Sequence, residues 1–376
     1  MNSSTKFPVL IFFCLFLIGP FNVIAQNCNK LLTYKGPDGE DLPVRNLFDW
    51  EIKKAQILDS AQAVFGPLPP IPTLPPYQKY DFSFPDFDEV ILDSLVREKH
   101  TRYNIQFTVA EHETVLAYLY IPHEKGATEK YPAMLALPPT TGRSLMDGRV
   151  PYARELADRG YIVLATEYPG TGELKDYDFE RDRYQSGVMK GIFNHIRCVD
   201  FLQSRNDVDR MRIGAIGHSL GGHSAIFLGA FDPRIKVIVS SVGWTLMEYY
   251  NLGEIASARY GGRLGPWAQD RYAPLFRTKY GLDPDRFPVN FDELIGALAP
   301  RHFYSNSPIH DSNFDVEGVR KGIACVSEIY RLYGAEENLQ VRYPIAGHNF
   351  PDSVRMDAYR FIDKALMHTN LFEDEE

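Results

Sequence analysis

The chain has 376 residues, 44% hydrophobic and 24% charged, an ordinary globular composition that excludes collagen-like, low-complexity and wholly disordered chains. Its formal net charge of −9 supplies no basic face for nucleic acid or for an anionic membrane surface.

Lys6 is followed by an apolar run over residues 7–19, then Pro20 and Val23-Ile24-Ala25. A positive start, a short apolar core and small residues at −1 and −3 predict a signal peptide over 1–25, cleaved after Ala25. The run is short of the ~20 residues of a membrane span, so the expected product is secreted or periplasmic, with no integral span. Cys28, Cys198 and Cys325 then remain, an odd number for an oxidising compartment. At most one disulfide can form within the chain, and the pairing stays open.

Leu47 to Val64 reads as a helix, and GPLPPIPTLPP follows over 66–76, with six prolines in eleven positions. Such a run is extended and cannot be helical. Residues 26–76 are therefore expected to form a helical and proline-rich strap on a catalytic domain spanning 77–376. From Thr101 the texture becomes β-rich, with TRYNIQFTVA and TVLAYLYIP forming a hairpin around Glu111-His112-Glu113. Six short apolar runs come next, at 131–138, 161–168, 211–218, 235–242, 301–306 and 339–344. Helical stretches near 150–159, 186–203, 220–230, 316–333 and 352–368 separate or follow them. Buried strands alternating with helices predict a parallel sheet covered on both faces. One connection, 243–299, is too long for a plain loop and reads as a cap-like insertion.

The run MRIGAIGH leads into Ser219-Leu220-Gly221, so Gly217-His218-Ser219-Leu220-Gly221 sits between a strand and a helix. That is where a nucleophile elbow must lie: the glycines let strand and helix approach, and the serine hydroxyl projects into the open. The chain has no C-x-x-C, H-E-x-x-H, Walker or G-x-G-x-x-G motif, so no metal or cofactor is expected.

The segments LALPPTTG, ELADRGYIVLATEYPGTGE, IGHSLGGH, APRHFYSNSPIHDSNFD and AGHNFP span 131–351. Together they resemble the α/β-hydrolases, and among those the secreted acetyl xylan esterase and dienelactone hydrolase-like group. The resemblance implies a mostly parallel eight-stranded sheet with helices on both faces. It also implies an insertion between the sixth and seventh strands over the site, and the chain order Ser…Asp…His. Pro138-Pro139 stands where related enzymes commonly carry His-Gly, and serine replaces the cysteine of dienelactone hydrolases, which points to oxygen esters.

A serine hydroxyl needs a base. Of the ten histidines, His348 alone combines a strand end with a glycine turn. Asp311, just after RHFYSN and 37 residues before His348, is the expected orienting acid, with Asp315 as rival. The backbone N–H groups of Leu220 and Thr140 are the expected oxyanion donors, with Thr141 second to Thr140, because the prolines before it carry none. Trp244 and Trp267 of the insertion are the expected pocket aromatics, with Tyr249 and Tyr250 also available. Arg259, Arg263, Arg271 and Arg277 interleave with them and speak against a greasy acyl site. The expected activity is hydrolysis of short-chain, chiefly acetyl, esters on a small molecule or carbohydrate. The alternatives are a serine peptidase of the same fold and a non-catalytic binding protein.

Overall fold

A computed structural model describes residues 28–74, 84, 86–123, 130–148 and 150–369. The expected signal peptide lies outside them. Among the described residues there are eleven strands: β1 (Thr33–Lys35), β2 (Asp41–Pro43), β3 (Val90–Val96), β4 (His100–Ala110), β5 (Glu113–Pro122), β6 (Tyr131–Leu137), β7 (Ile162–Thr166), β8 (Val208–His218), β9 (Val237–Ser241), β10 (His302–Asn306) and β11 (Leu339–Arg342). The helices are α1 (Leu47–Phe65), α2 (Tyr152–Asp158), α3 (Gly187–Ser204), α4 (Leu220–Phe231), α5 (Gly253–Tyr260), α6 (Leu275–Thr278), α7 (Phe291–Gly296), α8 (Val316–Leu332) and α9 (Asp352–Ala365).

Nine strands form one sheet in the order β11-β10-β9-β8-β6-β7-β5-β4-β3. The pairs from β11 across to β7 are all parallel, whereas β7–β5, β5–β4 and β4–β3 are antiparallel. The expected eight strands therefore become nine. The extra one, β3, is an edge strand with Val90, Ile91 and Val96 more than half exposed. Its identity as a strand comes from pairing with β4, and no buried face marks it in the sequence. The separate β1–β2 pair was equally unmarked.

Period-two alternation divides the central strands between two cores. Ala133, Leu135 and Leu137 of β6 join one cluster with α3, α4, α7 and α8; Met134 and Ala136 join the other with α2 and α9. The same division holds along β7 through Ile162 and Leu164 against Val163 and Ala165. Burial on both faces is why these strands read as continuous apolar runs. From β6 the chain moves to β7 on one side, then from β8 outward on the other. The loop after β6 and the turn after β8 thus meet at the reversal of strand order, where open α/β sheets hold their sites.

The N-terminal region is packed into this body. Trp50 of α1 is fully buried against Gly296, where an added Cβ would lie 3.2 Å from the indole. Lys53 pairs with buried Glu293 at 2.8 Å. Thr73, in the proline-rich stretch, donates to Asp200 at 2.6 Å. Cys28 is bonded to Cys325 of α8, leaving Cys198 buried and free. No helix among the described residues is long and apolar enough to cross a membrane.

Because that disulfide joins residues 297 apart, Cys28→Ser should cost about 2–5 kcal/mol of stability. Thermal melts check it: a reductant should lower the wild-type midpoint towards the variant and leave the variant unmoved, and a wild type insensitive to reductant would contradict the expectation.

Candidate active site

Ser219 stands at φ 56° and ψ −115°, between the end of β8 and the first residue of α4. A non-glycine residue at such a φ costs about 1–3 kcal/mol and persists only when its surroundings impose it. They do so by close approach. A Cβ on Gly217 would lie 2.0 Å from the Gly221 carbonyl oxygen, and one on Gly221 would lie 2.1 Å from that of Leu137. Only glycine fits at either position. The Ser219 amide donates to the Ser241 carbonyl at 2.8 Å, which ties the turn to β9. Leu220 opens α4, so its N–H has no acceptor within the helix.

His348 lies in the loop between β11 and α9. Its Nδ1 is 3.0 and 3.1 Å from the two oxygens of Asp311. The Asp311 side chain is 1% exposed, and its Oδ1 also accepts from the amides of Asn313 and Phe314 at 2.8 and 3.2 Å. Asp315 is the N-cap of α8, accepting from the Glu317 amide at 2.8 Å and exposed to solvent. Phe314 stacks on the His348 ring with centroids 6.0 Å apart.

The loop after β6 closes as a turn, with the Gly142 amide donating to the Pro139 carbonyl. Beneath it Arg143, with no solvent exposure, pairs with buried Glu167, and its Nη2 reaches Glu173 and Asn104 at 3.0 Å each. Burial pushes the Glu167 carboxyl up to about 7, against the pull of Arg143. Gly142 and Gly172 touch across this pair, where a Cβ on either would lie 2.7 Å from the other's Cα.

Two cavities meet at Ser219. The larger, about 730 Å³, is lined by His348, Asn349, His218, Arg355, Thr140 and Thr141, among others. The smaller, about 170 Å³, runs towards the segment between β9 and β10, with Trp267, Tyr250, Tyr272, Gln269, Arg271 and Phe314 among its walls. Thr140 and Ser219 border both, whereas Thr141 is exposed and borders only the larger. His223, one turn into α4, packs 4.8 Å from Trp267, and burial pushes its imidazole down to about 3. Trp267 lines the smaller cavity. Trp244 lines neither cavity: it is 1% exposed, donates Nε1 to Ser305 at 2.9 Å and covers Gly322. Its place at the end of β9 turns it into the core beneath α8, a direction no local pattern encodes. Of the four arginines, Arg263 and Arg277 bond backbone carbonyls of the segment itself, and Arg271 borders the small cavity. Tyr272 and Gln269, within 243–299, and Phe314, beside Asp311, also line this cavity; the aromatic richness of 243–299 signals only Tyr272.

The profile of the prolyl oligopeptidase family matches residues 149–279. The Bacillus subtilis protein YtaP, assigned as a hydrolase, is 29% identical over 225 residues, 57% of this chain and 68% of YtaP. Carbohydrate esterase MZ0003, from an unknown prokaryotic organism, is 24% identical over 44% of this chain and 39% of its own length. A glucuronoyl esterase from Solibacter usitatus superposes with a TM-score of 0.65 at 19% identity, covering 89% of this chain and 97% of that one. A Bacteroides fragilis protein assigned as an acetyl xylan esterase superposes at 0.57 and 16% identity, covering 84% and 85%. The chain has the α/β-hydrolase fold. The relatives it resembles are hydrolases and esterases.

In this fold Asp311, and not Asp315, lies within hydrogen-bond distance of His348 Nδ1. Asp311→Asn should lower ester turnover by about four orders of magnitude, as loss of a tautomer-fixing carboxylate does, and Asp315→Asn should lower it severalfold at most. Steady-state rates on an aryl acetate at neutral pH test this, and the reverse ranking would refute it.

Proposed function

We propose that the protein is a secreted esterase that removes short acyl groups, acetyl foremost, from carbohydrate. Ser219 Oγ attacks the ester carbonyl carbon while His348 Nε2 takes its proton. Asp311, bonded to Nδ1, holds the tautomer and stabilises the imidazolium. The N–H groups of Leu220 and Thr140 receive the developing oxyanion. The C–O bond to the alcohol then breaks, and His348 returns its proton to the leaving oxygen. Water, deprotonated by the same imidazole, attacks the acyl-enzyme and frees the acid and Ser219.

The observation that carries this reading is the pair of unequal cavities at Ser219. The leaving oxygen must come within reach of His348, so the alcohol belongs in the 730 Å³ cavity that His348 lines, which has room for sugar rings. The acyl group then points into the 170 Å³ chamber closed by Trp267 and its neighbours. A carbohydrate esterase among the relatives supports the substrate class. Export is supported by the leader pattern of residues 1–25 and by the Cys28–Cys325 bond. The prolyl oligopeptidase match carries a second reading, peptide hydrolysis, and peptide amides therefore belong in the substrate panel.

An organophosphonate should label Ser219 in intact-mass and peptide analysis, and Ser219→Ala should lose several orders of magnitude of activity. Label on another residue ends the proposal.

Each methylene accommodated in an apolar pocket is worth about 0.8 kcal/mol, so a long-chain enzyme would gain kcat/KM from acetate to octanoate. The small chamber predicts the opposite slope on p-nitrophenyl esters, together with acetate release from acetylated oligosaccharides. Trp267→Ala should open the chamber and raise the octanoate-to-acetate ratio roughly tenfold. A wild type that prefers octanoate and frees no acetate from any acetylated oligosaccharide would leave only a generic carboxylesterase.

A further inference from the structure

Three strand ends converge behind the proposed catalytic groups. His218 ends β8, Ser241 ends β9 and Asn306 ends β10, in adjacent strands where His218 registers with Ser241 and Ser241 with Asn306. All three are buried, His218 at 6% exposure and the other two at 0%. Their side chains form a continuous hydrogen-bonded line. Asn306 Nδ2 donates to Ser241 Oγ at 3.0 Å, and Ser241 Oγ lies 3.1 Å from His218 Nδ1. The same Asn306 amide donates to the carbonyl of Asn349 at 2.8 Å, on the residue after His348. At the other end, the His218 ring packs edge-on against the His348 ring, with centroids 5.4 Å apart.

These contacts join the two halves of the reacting pair. Ser241 holds the nucleophile turn through its carbonyl, which accepts from the Ser219 amide, and holds the neighbouring His218 ring through its hydroxyl. Asn306 then grips the backbone of the loop that carries His348. No residue of 343–350 belongs to a strand or helix, so such cross-links carry more of the segment's placement than regular structure does. His218 also stays neutral beside an imidazole that must become charged. Burial, reinforced by the charge of His348, pushes it down to about 3.

We propose that His218, Ser241 and Asn306 are positioning residues that set the reach of His348 to Ser219 by bonding the His348 loop to the strand ends behind the nucleophile. The inference rests on the roles assigned to Ser219 and His348 above. It assigns neither Ser241 nor Asn306 to substrate, whereas His218 also borders the larger cavity. Displacement of a catalytic group by about 1 Å can cost about 10²-fold in rate, which sets the expected scale.

The test uses the full-length mature protein with Asn306→Ala, Ser241→Ala and Ser241→Thr, reading steady-state kinetics on an aryl acetate and the second-order rate of fluorophosphonate labelling at Ser219. The Asn306→Ala and Ser241→Ala variants should lose about 10- to 10²-fold in kcat and in labelling rate, with KM within about twofold of wild type. The hydroxyl retained in Ser241→Thr should restore part of both. Ser241→Ala keeps the backbone carbonyl that binds Ser219 and decides the matter if Asn306→Ala fails to fold. Folded variants with wild-type kcat and labelling rates overturn the proposal, as does a rise in KM with kcat unchanged. A wild type that takes no label on Ser219 would instead sink the assignment of the nucleophile itself.

Discussion

The site depends on one steric constraint: at the end of β8 the backbone must turn into α4 with almost no room. Gly217 and Gly221 approach within a distance that leaves no space for a side chain, and the Leu137 carbonyl presses on Gly221 from β6. Ser219 is forced to positive φ by that crowding, and its hydroxyl is delivered to the junction of two cavities. The strain is held by the hydrogen bond to Ser241 and by the buried strands on either side. The same approach brings the end of β6 beside the turn, so the loop at Thr140 borders the space that Ser219 faces.

Around this turn the chemistry is distributed over parts that lie far apart in the chain. Asp311 is held by an Asx-type turn after β10 and meets His348 from the loop after β11, adjacent strands at one side of the sheet. Arg143 and Glu167 brace the loop after β6 against the loop after β7. The segment between β9 and β10 supplies the aromatic wall and is itself fastened to the body. The Gly187 and Val188 amides at the start of α3 donate to the carbonyls of Asp270 and Tyr272. The helix N-terminus is satisfied by the very loop that shapes the small cavity.

Much of this was legible residue by residue. The parallel strands, their helices and the elbow were visible because strands buried on both faces are short apolar runs and because Gly-His-Ser-Leu-Gly has a steric reason for its glycines. His348 and Asp311, read from the sequence as strand-end residues, lie within hydrogen-bond distance of each other, and Asp315 caps a helix. The edge strand β3 was not legible, since its side chains are mostly exposed and its pairing with β4 is what makes it a strand. Nor could the cysteines be paired by counting: Cys28 and Cys325 meet because α8 packs near the N-terminal segment.

Local pattern was therefore enough for the sheet and for the turn at Ser219, because each rests on periodicity or backbone sterics within a few residues. Tertiary structure alone decided which aromatics face the site. Trp244 and Trp267 belong to the same aromatic-rich segment, yet one is turned under α8 to bond Ser305 and the other is set against His223 at the cavity wall. The difference lies in how the segment folds back across the strand ends, and no short-range rule of composition or spacing contains that direction. The line from Asn306 through Ser241 to His218 has the same origin. Those residues are separated by 65 and 23 positions in the chain, and strand register alone makes them neighbours.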